Sequence, residues 1–501
     1  MLLKSKSFII LFFYSIILKI YIINSNEVVI LPFNSSYKRD LFNEFSLIDD
    51  IQERNLYTYL KIGEKELSIK TILSFQHSYL ALIPNKYTTL NKSSNTNYNF
   101  SESKTFKNIT CLNEYLLESK NDILGNEKLK ISLFNYKYNL SREIVLNDIK
   151  VVLGINDKYK ENIYNLNIGL RVLIENSNRI MQDYNFIYQL KQRNITQDYY
   201  WFIYFEKGKK ENGIFLNNVN ELFYANGKLM IGDLPHNCQP GKFHKSQMLT
   251  TYSYYRNFIY TWALEFNNIY FYDKNNKIYK DTYHNVHLDI NNYIAQAPNT
   301  YYFKIKNEYF NQYLNKGICN IYTGNGFEAI YCDKSEHFTI NNLKQFPVLY
   351  FQNNELQYIF EFTYEDLFVE DKNKYWFLIT FPIFYEVEEW FFGIIFLRKY
   401  NLIFNQDSKT ISFYNPNLPL VDEDNSPNKN NKNDNNKIII MIIILLGIIC
   451  ISLGIYLGKI IYFNKEEKKR INELEDNFEY VSKEYSTEEK KDNNESMPMG
   501  I

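Results

Sequence analysis

Two stretches of the chain repeat one order of apolar and polar positions. The first is Ile69-Lys70-Thr71-Ile72-Leu73-Ser74-Phe75-Gln76-His77-Ser78-Tyr79-Leu80-Ala81-Leu82-Ile83-Pro84; the second is His287-Leu288-Asp289-Ile290-Asn291-Asn292-Tyr293-Ile294-Ala295-Gln296-Ala297-Pro298. Each is followed downstream by an apolar run that closes on glycine, Asn167-Ile168-Gly169-Leu170 after the first and Trp390-Phe391-Phe392-Gly393-Ile394 after the second. Repetition of this kind predicts two β-rich lobes built alike. Asp289 ends the opening strand of the second stretch, where an acid is ordinarily a solvated turn residue or the start of an Asx-turn.

The pattern changes at both ends. Lys4 and Lys6 precede an apolar run from Phe8 to Leu18 that gives way to Asn24-Ser25-Asn26, which predicts a signal peptide over 1–25. Residues 26–56 form an N-terminal segment, and the lobes are expected at 57–240 and 241–420. Residues 421–437 turn to Asp, Glu, Asn, Lys and Pro and read as a polar stalk. From Ile438 to Gly458 the chain is almost continuously apolar, about the length that crosses a ~30 Å hydrocarbon core, so a transmembrane helix is expected over 438–458. Lys459, Lys465, Lys468, Lys469 and Arg470 then place the tail, 459–501, in the cytoplasm. The expectation is a single-pass type I membrane protein of the secretory pathway or cell surface.

Composition sharpens this. The 45 Tyr and 38 Phe favour strands with aromatic interiors, and only 17 Gly implies that Asn and Asp fill many turns. A formal net charge of −1 gives no basis for nucleic-acid binding. Sequons at Asn34, Asn91, Asn99, Asn108, Asn139 and Asn194 fit a glycosylated lumenal body. Of five cysteines, Cys450 lies in the membrane run, which leaves Cys111, Cys238, Cys319 and Cys332 outside it, an even number as an oxidising compartment favours. No cofactor or metal site is expected: His284 and His287 would point to opposite faces of a strand, away from a common ion with Asp289.

Taken in order, the motifs resemble the pepsin-type aspartic proteases (peptidase family A1). Gly63 after Tyr57-Thr58-Tyr59-Leu60-Lys61-Ile62 matches the family's opening hairpin, and Tyr115 ahead of Asp122-Ile123-Leu124-Gly125 matches its flap tyrosine. The resemblance spans roughly Tyr57 to Pro416 and implies an all-β, bilobal fold with Asp289 as the second catalytic aspartate. It also implies a Cys319–Cys332 disulfide in the second lobe; Cys111 with Cys238 follows by elimination only.

The family's chemistry needs two aspartates that share one proton. Here the Thr-Gly after the second has become Ile290-Asn291, so Asn291 is expected to take the glycine-like left-handed backbone. The first aspartate is missing. Counting from Pro84 puts Phe75 in its place and counting from Gly63 puts Ser74 there; neither is an acid. His77 is a candidate substitute for it. The functional expectation is a membrane-anchored, non-catalytic pseudoprotease that holds an extended peptide or protein ligand in the interlobe cleft. The alternative is an active aspartic endopeptidase, a hydrolase of proteolysis with an atypical site.

Overall fold

The computed structural model describes residues 27–35, 56–75, 78–84, 103–109, 123–136, 139–153, 164–172, 182–206, 217–218, 226–239, 241–253, 261–272, 278–292, 294–324, 326–383, 389–420, 447 and 452–476. Residues up to Leu420 form one compact unit and those from Val421 another. The first is mostly β, with short helices, and among its described residues the strands fall into sheets of 13 and 12.

The hairpin of Tyr57–Ile62 and Leu67–Ser74 leads to the region of interest. Leu60, Ile62, Ile69 and Leu73 are buried while Tyr59 and Lys70 face outward, the period of two that a half-buried sheet imposes. Gly63 turns the chain at φ 75°, where a residue without Cβ meets no steric penalty. Leu67–Ser74 then pairs in parallel with Tyr164–Gly169, placing Leu73 opposite Ile168 and Ser74 opposite Gly169.

The other sheet repeats the arrangement. Ala263–Tyr272 and Ile278–Leu288 form a hairpin, and the latter strand pairs in parallel with Trp390–Phe392, Leu288 opposite Phe392. Gly393 follows Phe392 as Gly169 follows Ile168. Ser74 therefore holds in one sheet the register position that Asp289 holds in the other. Phe75 turns inward, 2% exposed, and packs edge-on against Trp201 and Phe404. Trp262 completes this aromatic cluster, at 5.0 Å from Phe404 and 6.0 Å from Trp201 between ring centroids.

Strand pairing also crosses the two halves of the sequence. Glu27–Phe33 pairs with Gly227–Ile231, and the late strand Ile403–Asn405 pairs with Tyr200–Phe205 in the same sheet. The cluster around Phe75 is thus built from parts of the chain hundreds of residues apart.

In the second unit a helix runs over 452–476. It contains Lys459, Lys465, Glu466, Glu467, Lys468, Lys469 and Arg470, each costly in a hydrocarbon core. Among the described residues no helix is long and apolar enough to cross a membrane. This corrects the expected transmembrane helix at 438–458, of which only 447 and 452–458 are described, and with it the membrane partner and the type I localisation. The described helix carries its apolar and charged residues on one continuous element, so it does not end where the hydrophobic run does. The signal peptide expected at 1–25 lies outside the described residues.

Candidate functional site

Asp289 leaves its strand with its own N–H donated to the Phe392 carbonyl at 2.9 Å. Its Oδ1 accepts the Asn291 N–H at 2.9 Å, closing an Asx-type turn. Beneath the turn lies Gly393, where a Cβ would come within 2.2 Å of the Asn292 carbonyl oxygen. Glycine is required there by close backbone approach.

Asn291 then reaches the other sheet. Its Oδ1 accepts the Phe75 N–H at 3.0 Å and the Ser74 hydroxyl at 3.3 Å, and its Nδ2 donates to the Leu73 carbonyl at 3.3 Å. The expected left-handed backbone is not found: Asn291 is not among the residues of positive φ. Its amide offers both an acceptor and a donor, so it serves as a bridge between the sheets. Nearby, Trp262 Nε1 donates to the Leu170 carbonyl at 2.7 Å, a second link of the same kind.

Burial raises the Asp289 carboxyl above the ordinary aspartate range, opposed by the Asn291 N–H, and no second carboxylate contributes to the shift. Desolvation of one acid outweighs that hydrogen bond; a proton shared between two acids would need a partner that Ser74 and Phe75 cannot supply.

The other candidates are dispersed. His77, Tyr115, Cys111, Asn91 and Asn99 lie outside the described residues. Asn34, Asn108, Asn139 and Asn194 are exposed. Cys319 and Cys332 are direct cross-strand partners and form a disulfide. Among the described residues Cys238 is a free, buried thiol whose burial pushes it up to about 12; Cys111, its expected partner, lies outside them. His284 lies 2.8 Å from Asp281 while His287 turns to Thr261 and Glu389. Among the described residues no group of three His, Cys, Asp or Glu could hold a metal ion.

Sequence reasoning missed the bridging role of Asn291 and the contacts of His287. An Asn at the third position of the loop was visible, but nothing in the sequence says that its amide meets Phe75, 216 positions away.

No family model matches this chain, and no curated protein matches it. Solved structures do. Basic 7S globulin from soybean aligns with a TM-score of 0.52 over 77% of this chain and 94% of that one, at 10% identity. Conglutin gamma, a unique basic 7S globulin from lupine seeds, aligns with a TM-score of 0.54 over 78% and 95%, at 8% identity. At such identity the likeness concerns the fold.

These findings correct the reading taken from the motifs. The chain is similar in fold to basic 7S globulins; the pepsin-type aspartic protease family, its bilobal protease fold and the expected hydrolase chemistry of proteolysis are withdrawn, as are both the membrane-anchored pseudoprotease and the active endopeptidase. The physical reason lies in what the motifs specify. Gly63 turns a hairpin and Gly393 admits a carbonyl, and these are requirements of local backbone, not of chemistry. The extended peptide or protein ligand also loses its basis, since the Phe75 N–H and Ser74 hydroxyl opposite Asp289 are engaged by Asn291 and Ser74 is 2% exposed.

Proposed function

We propose that the unit up to Leu420 is a globulin-like protein in which Asp289 carries out no hydrolysis, and that Ser74, Phe75, Asp289 and Asn291 form a structural junction between its two halves, divided near residue 240. One observation carries this reading: Asn291 Oδ1 takes up the Phe75 N–H and the Ser74 hydroxyl, and Ser74 holds in its sheet the register position that Asp289 holds in the other. A lone carboxyl raised by burial is protonated over part of the acid range and ionised above it, and at neither extreme does it both activate a water and protonate a carbonyl. Asp289 then serves to fix the turn that aims Asn291.

The test uses the purified full chain, Asp289→Asn and Asp289→Ala, each incubated with an unfolded protein and a mixed peptide library from pH 3 to 8. Equal background in all three is expected. Turnover present in the parent chain and lost in Asp289→Asn would overturn the reading.

A further inference from the structure

A second constellation lies on the same strand as Asp289 but uses none of the junction. The His287 ring stands between a hydroxyl and a carboxylate: Nδ1 is 2.8 Å from Thr261 Oγ1, and Nε2 is 2.6 Å from Glu389 Oε2. The His287 side chain is only 5% exposed, and its backbone is paired on both sides, with Ala263 and with Phe391. The ring also packs on Phe391, centroids 5.0 Å apart. Thr261 is partly exposed and the Glu389 side chain is 24% exposed, so both ends of the row lie nearer the surface than the ring.

This geometry fixes a tautomer. A Glu389 carboxylate can only accept, so in the neutral imidazole Nε2 carries the hydrogen and Nδ1 presents a lone pair to the Thr261 O–H. Hydroxyl, imidazole and orienting acid within hydrogen-bond reach are the arrangement that activates a nucleophile, whatever the fold or the order along the chain. We propose that Thr261, His287 and Glu389 form a hydroxyl-centred site that accepts an acyl group from an activated ester. Thr261 Oγ1 forms the new bond to the acyl carbon as the ester C–O bond breaks; the hydroxyl proton passes to His287 Nδ1 and from there to the departing alkoxide or aryloxide. No oxidant or metal enters the balance. Thr261 is the catalytic nucleophile and His287 the base, and Glu389 is a positioning residue. The proposal stands apart from the reading of Asp289.

The probe is p-nitrophenyl acetate with the full chain. A burst of one nitrophenolate per chain is expected, with an acetyl group mapped by mass spectrometry to Thr261. Thr261→Ala should abolish both, and Thr261→Ser should keep them. Because His287 is buried and its loss can unfold the chain, Glu389→Gln carries the test of the relay. It should slow acetylation at least about tenfold and shift the pH dependence of the burst, as loss of an orienting acid does in related triads. Asp289→Asn should leave the burst unchanged. A folded parent chain that gives no burst, or acetylation that survives Thr261→Ala, overturns the proposal. In that case the row only pins Thr261 and Glu389 to the strand, and Thr261→Val would lower stability with no reactivity to lose.

Discussion

The side-chain amide of Asn291 accepts the backbone N–H of Phe75 at 3.0 Å, joining residues 216 positions apart. The same amide holds the Ser74 hydroxyl and the Leu73 carbonyl. One side chain therefore satisfies three polar groups at the end of a buried strand, and its loss leaves them without it.

Asn291→Ala should destabilise the first unit by about 2 to 4 kcal/mol, since each hydrogen bond is worth about 1 kcal/mol net and a buried group left unsatisfied costs more. Asn291→Asp keeps an acceptor for Phe75 but loses the donor to Leu73, so it should fall between. Urea midpoints at constant m-value measure this; an Asn291→Ala midpoint equal to that of the parent chain would remove the bridge from the account.

Burial raises the Asp289 carboxyl in the folded state, so the folded chain binds this proton more tightly than the unfolded chain does. The group's contribution is fully present below the unfolded aspartate value and is lost as pH rises through the raised folded value. Asp289→Asn keeps an acceptor for the Asn291 N–H and cannot ionise. Its stability relative to the parent chain should therefore improve from about pH 4 towards neutrality, read from thermal midpoints at matched ionic strength. A difference that stays flat with pH would contradict the burial of this carboxyl.

The disulfide closes a loop with a sequence separation of 13 between Cys319 and Cys332. Replacing both residues by Ser should cost about 2 to 3 kcal/mol, chiefly through the freer unfolded chain. Reductant should lower the parent's unfolding midpoint and leave that of the double variant where it is.

Cys238 is buried and its thiol is pushed up to about 12, so little thiolate exists near neutrality. Ellman's reagent should leave it unmodified in the folded chain and label it on unfolding. A non-reducing peptide map that joins Cys238 to Cys111 would refute its free state.

By itself the sequence determined local structure. Alternating Leu60, Ile62, Ile69 and Leu73 set strand faces, Gly63 set a turn, and Gly393 set a close approach, because side-chain period and steric allowance act over a few residues. Tertiary structure decided the rest. Which of Ser74 and Phe75 takes the register position equivalent to that of Asp289 depended on parallel pairing with Tyr164–Gly169, and Phe75 was drawn inward by Trp201 and Phe404. The partners of Asn291 and His287 lie on segments that local pattern does not relate to them. Chemistry was misread for that reason: motifs that fix backbone shape were taken to carry a reaction, while the groups that could react or bridge are brought together by strand pairing and turns between distant segments.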